Sequence, residues 1–91
     1  MKKIALGRVV ATPGALSAIS NAQIQLCLQR HALCDWGDVC EEDAELNNQA
    51  VEGDDRVHSA YELGDTRLWV ITRGRSHPSS TVTTVLLPSE D

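Results

Sequence analysis

Ninety-one residues with 42% hydrophobic content and a formal charge of −5 describe one small acidic domain, near the lower end of what folds alone. That composition excludes a disordered chain, and no run approaches the ~18 apolar residues of a membrane span. Phe is absent and the only aromatics are Trp36, Tyr61 and Trp69, so the core is expected to be aliphatic.

Residues 4–10 are β-branched and apolar and predict a first strand, ended by Thr12, Pro13 and Gly14. Thr12 suits a helix N-cap and Pro13 a first helical position, so a short helical turn follows through residue 19. Ser20 with Gln23 forms a capping-box pair for a second helix, whose buried face is Ile24, Cys27, Leu28 and His31 at helical spacing. Gly37 permits a turn. Asp38 with Glu41 then predicts the cap of a third helix, with Glu41, Glu42 and Asp43 at the positive end of its dipole and Cys40, Ala44, Asn47 and Val51 facing inward. Gly53, Asp54 and Asp55 end it.

The remainder reads as strand. Val57–Leu63 and Thr66–Arg73 flank Gly64-Asp65, a two-residue loop of the type II′ hairpin class. Alternation places Leu68, Val70 and Thr72 on one face, and Trp69 and Ile71 on the other. Residues 81–87 form the last strand, before Pro88 and an acidic tail. The expected architecture is thus one α+β domain over residues 1–91, of order β-α-α-α-β-β-β. A strand at 4–10 and a helical region at 13–53 precede strands within 57–87. The expected sheet is antiparallel, of about four strands, with the helices packed on one face.

Charge is distributed unevenly. Residues 35–55 hold nine acids and no Lys or Arg, a poor surface for phosphate. The basic residues lie elsewhere, among them Arg67, Arg73 and Arg75 on or near the predicted hairpin. Lys2 and Lys3 begin the chain, but Arg8 interrupts the apolar run too early for a secretory leader. Three cysteines, an odd number, do not make a secreted disulfide framework, so the cytoplasm is the expected compartment.

Three constellations invite a chemical reading. Cys27, His31, Cys34 and Cys40 have zinc-ligand types, but lack the paired knuckles of a structural site; helix packing is the better account of them, and no metal or cofactor is expected. Cys34 with His31 and Asp35 has the residue types of a thiol nucleophile, but as close sequence neighbours. The acids at 41–45 lack the spacing and glycine of a calcium loop. No phosphate loop, dinucleotide fingerprint or nucleophile elbow occurs, and an enzyme is not expected. Two binding surfaces remain. One is acidic and helical, with Asp35, Trp36, Asp38, Glu41, Glu42 and Glu45 meeting a basic protein; Trp36 either anchors that contact or folds back to fill a core short of aromatics, and a small domain's need for large residues inside favours the second. The other is the hairpin, with Arg67, Trp69, Arg73 and Arg75 as a single-strand nucleic-acid face.

In order along the chain, Ala5-Leu6-Gly7, residues 10–15 (Val-Ala-Thr-Pro-Gly-Ala), Arg30-His31, Asp35-Trp36-Gly37, Ser59-Ala60-Tyr61, residues 68–72 (Leu-Trp-Val-Ile-Thr) and Leu86-Leu87-Pro88 give a pattern that resembles a family of short bacterial proteins. Its members are found on plasmids, integrative elements and prophages, and some are labelled as related to type I restriction-modification subunits. The resemblance spans nearly the whole chain and carries over no catalytic residue. In that pattern a glycine commonly stands where this chain has Cys34. The resemblance implies a mobile-element setting, and with it a non-enzymatic protein that binds a host defence complex, of anti-CRISPR or anti-restriction type. Membrane association is not expected, and self-association is left open by an apolar helical face only partly used.

Overall fold

The structure, a computed structural model, describes residues 3–53 and 55–91; Lys2 at the basic start and Asp54 in the expected helix-ending turn lie outside them. The chain runs β1 (Arg8–Ala11), α1 (Pro13–Ala18), α2 (Asn21–Ala32), α3 (Glu41–Gly53), β2 (Val57–Leu63), β3 (Thr66–Arg73) and β4 (Val82–Leu86), with 3-10 turns at Pro78–Ser80 and Pro88–Glu90. The α+β class, the element order and the four strands agree with expectation.

The caps of the first two helices form as their residue types dictate. The Thr12 side chain accepts from the Ala15 amide at 3.2 Å, and the Ser20 side chain from the Gln23 amide at 3.2 Å. The hairpin also forms where the glycine allows it. Gly64 has φ +69°, Asp65 is not left-handed, and Leu63 pairs with Thr66, which is the II′ pattern.

Four expectations are corrected. The sheet, of order β1-β4-β3-β2, is mixed rather than antiparallel, because β1 runs parallel to β4 with Arg8 opposite Val82 and Ala11 opposite Val85. The chain must leave β1 at the end where α1 docks against β4, and that direction aligns it with the last strand. Secondly, β1 starts at Arg8, not residue 4. Gly7 turns the chain with φ +62°, and a Cβ there would lie 2.2 Å from the Thr81 carbonyl oxygen. Ile4 instead donates its amide to the Ala32 carbonyl and is buried beside Trp36 and Val57. Thirdly, Asp38 does not cap α3, which begins at Glu41; its carboxylate accepts from the Glu62 amide of β2 at 2.8 Å. Finally, the helices do not all cover one face. From α1 and α2 come Ala15, Ile19, Ile24, Cys27 and Leu28, packed on Tyr61, Leu68, Val70 and Val85. By contrast, α3 runs along the β2 edge, where the Asn47 side chain donates to the His58 carbonyl at 2.8 Å and accepts from the His58 amide at 3.1 Å.

That edge is closed along its length. Beyond Asn47, the Ala60 amide donates to Trp36, the Asp38 amide to Ala60, and the Asp38 carboxylate takes Glu62. Segment 36–38 therefore blunts an edge strand that would otherwise be sticky.

At the other end of α3, the Arg75 guanidinium donates to the carbonyls of Ala50 at 3.0 Å, Asp55 at 3.1 Å and Val51 at 3.4 Å. A cation here satisfies carbonyls that the helix leaves unpaired and meets the negative end of its dipole. Arg75→Met is expected to cost about 1–2 kcal/mol, read by denaturant unfolding, with the C-terminal turn of α3 losing hydrogen-exchange protection first.

Cys34 is the one described non-glycine residue in the left-handed region, with φ +62°. Asp35 donates its amide to the Arg30 carbonyl across this bend, so the helix ends by a left-handed reversal that favours glycine. Cys34→Gly is expected to raise stability by about 0.5–1 kcal/mol, with a higher Tm as the readout.

Candidate functional site

The acidic segment divides into an internal half and an outward half. Trp36 is 6% exposed. Its indole N–H donates to the Asn48 side-chain oxygen at 3.0 Å, and its ring meets His31 edge-on at 5.6 Å. That placement removes it as a surface anchor; a core with so few large residues takes it inside. Asp35 is bound by the Arg30 guanidinium at 2.7 and 3.2 Å and accepts from the Gly37 amide at 3.2 Å. The hydrogen bond from Arg30 holds its carboxyl below the usual carboxylate range. Asp38 is occupied with β2, as described. Asp35, Trp36 and Asp38 thus order the α2–α3 connection.

Glu41, Glu42 and Glu45 remain outward. They line a shallow hollow on α3 together with Leu46, which is 61% exposed. Leu46 escaped the sequence reading because it stands out of phase with the inward positions Ala44, Asn47 and Val51. Its mismatch with that periodicity was the available signal.

On the hairpin, Arg67, Trp69, Ile71 and Arg73 alternate with Leu68, Val70 and Thr72 and so share the sheet face opposite α1 and α2, where Ile71 is itself buried between Trp69 and Arg73. Arg67 pairs with Glu62 at 2.8 Å, and Trp69 lies edge-on to His58 at 4.6 Å. Arg75 is not part of this row, since it holds the end of α3. Between α3 and this face runs a groove of about 340 Å³ whose walls include Asp43, Leu46, Arg56, His58, Arg67 and Trp69. Burial, then the nearby Arg56 charge, lowers the His58 pKa.

The proposed zinc ligands do not converge: among the described residues no three His, Cys, Asp or Glu side chains could share a metal ion. Cys27 is buried in the core, where desolvation raises its thiol pKa, and Cys40 is exposed. Both His31 nitrogens are engaged, Nδ1 with Ser59 Oγ at 2.5 Å and Nε2 with Thr72 Oγ1 at 2.9 Å. The imidazole therefore cannot serve Cys34 as a base, and Asp35 belongs to Arg30.

The His31 contacts open a buried relay whose proton directions can be assigned. Thr83 Oγ1 donates to the Leu6 carbonyl at 2.7 Å, so it must accept from Thr72 Oγ1, also at 2.7 Å. With its own hydrogen committed, Thr72 accepts from His31 Nε2–H, and Nδ1 is left to accept from Ser59. One neutral tautomer satisfies every member.

Among the described residues no helix is long and apolar enough to cross a membrane. Comparison with family models, with curated proteins and with solved structures finds no match to this chain.

Proposed function

We propose that this chain is a non-enzymatic protein-binding module of a mobile genetic element, acting in the cytoplasm by docking α3 onto a basic partner in a host defence complex. The observation that carries the reading is the outward end of α3, where Glu41, Glu42 and Glu45 frame the exposed Leu46. An apolar contact ringed by one sign of charge suits capture of a basic channel that otherwise takes phosphate. The family resemblance supports the setting, and the anchor role considered for Trp36 passes to Leu46.

The test is phage plating on strains carrying a CRISPR effector or a type I restriction enzyme. Expression of the chain is expected to raise plating on one of them, and the charge reversal Glu41→Lys, Glu42→Lys, Glu45→Lys to abolish the gain by about tenfold or more. Full activity of the folded triple variant would sink the reading, as would no effect of the wild type on any strain.

A second reading rests on the row Arg67, Trp69 and Arg73 on one sheet face, an arrangement able to hold a single strand by stacking and phosphate contact. A gel-shift salt series distinguishes it. Phosphate contacts weaken steeply with salt, and Arg67→Ala with Arg73→Ala reduces the slope by about 2.

A further inference from the structure

The two edges of the sheet are treated differently. While β2 is sealed by Asn47 and segment 36–38, among the described residues β1 pairs only with β4. The amides of Arg8 and Thr12 point to β4, bonding Thr81 and Val85 at 3.0 Å each. By alternation, the N–H and C=O of Val9 face away from the sheet. Val9 is 45% exposed, and beside it an apolar groove runs between β1 and α2, walled by Leu6, Leu28 and Ala32 with Gln25 and Gln29 at its rim.

A second observation concerns the helix that borders this groove. In a chain with 23% charged residues, the exposed positions of α2 (Asn21, Ala22, Gln23, Gln25, Leu26 and Gln29) include no charge, and Leu26 is 56% exposed. The single Arg of this helix, Arg30, is held by Asp35. Monomers guard an open edge with charge, proline or a covering element, whereas the centres of interfaces are depleted of charge.

We propose that this surface is a self-association interface, occupied by a second copy of the chain. Its groups complement themselves: backbone edges and glutamine amides both donate and accept, and the one charge on β1, Arg8, is in register with Arg73 on the opposite face of the sheet. A two-fold axis perpendicular to the sheet at Val9 pairs β1 antiparallel with its counterpart. The Val9 N–H and C=O of each copy then meet those of the other, and Arg8 falls opposite Val10, so no like charges oppose. The product is one continuous eight-stranded sheet with both α2 helices on the same side, Gln25 and Gln29 facing across the axis. Because α3 lies at the far edge of the sheet, this interface neither uses nor excludes the surface proposed for a basic partner.

Sedimentation of the intact chain from micromolar to millimolar concentration tests it. A dimer mass is expected for the wild type. Val9→Pro removes only the outward N–H, and Gln25→Glu with Gln29→Glu sets like charges across the axis on exposed positions. Each is expected to raise the dissociation constant about tenfold or more while circular dichroism stays native. A wild type that remains monomeric at millimolar concentration would overturn the proposal, leaving the edge to an extended peptide of another protein. So would a dimer that the folded Gln25→Glu, Gln29→Glu variant leaves intact.

Discussion

Replacing His31 by alanine is expected to cost about 4 kcal/mol, a large fraction of the stability of a domain this size. The ring is fully buried, so its loss leaves a cavity between α2 and the sheet and deprives Ser59 and Thr72 of their partner at once. The same residue makes the fold acid-sensitive. Burial, then the charges of His58 and Arg75, lower its pKa from 6.5 to about 4. Above pH 6.5 the imidazole is neutral in both states and contributes no pH dependence. Between pH 6.5 and about 4 only the unfolded chain takes the proton, so stability falls as pH falls, by about 3 kcal/mol in all. Urea unfolding across that range would show it. His31→Gln, which keeps a donor and an acceptor without a titrating ring, is expected to flatten that part of the curve. An unchanged slope in the glutamine variant would assign the acid sensitivity to other groups.

Trp36→Ala is expected to have an effect of similar size, about 3–5 kcal/mol, because a buried indole bridging Ile4, Val57 and the inner side of α3 is removed. Its backbone also accepts from Ala60, so the closure of the β2 edge loosens with it. Trp36→Phe isolates the polar part. It keeps the ring packing, loses the bond to Asn48, and is expected to cost about 1 kcal/mol. The contrast separates a core role from a docking role, since an exposed anchor truncated to alanine would leave the unfolding midpoint nearly unmoved.

Legibility from the sequence follows the range of the interactions concerned. The hairpin was readable because Gly64-Asp65 and the alternation around it are local, and the caps at Thr12 and Ser20 for the same reason. Asp38 looked like a cap because Glu41 stands three residues on; its actual partner, the Glu62 amide, lies twenty-four residues away. Arg75 read as a surface charge for a similar reason, since the carbonyls it holds belong to a helix more than twenty residues earlier. The direction of β1 was hidden likewise, because nothing in residues 4–10 encodes which later strand they join. Of the site, the acids of α3 were legible from their density. The inward turn of Trp36 was also foreseeable from a core short of aromatics, whereas Leu46 and the open edge at β1 emerged only with the packing.

The pairing of β1 with β4 has a consequence for how the molecule is made. Thr83 reaches the Leu6 carbonyl across 77 residues, and Glu90 binds the Thr12 hydroxyl across 78 at 2.6 Å. Contacts this distant in sequence carry the full cost of closing the chain before they contribute anything. During synthesis the first strand therefore has no partner until β4 has emerged, and its apolar residues must wait in solvent. A chain stalled or clipped before residue 82 therefore exposes an unpaired, aggregation-prone strand rather than a smaller stable domain.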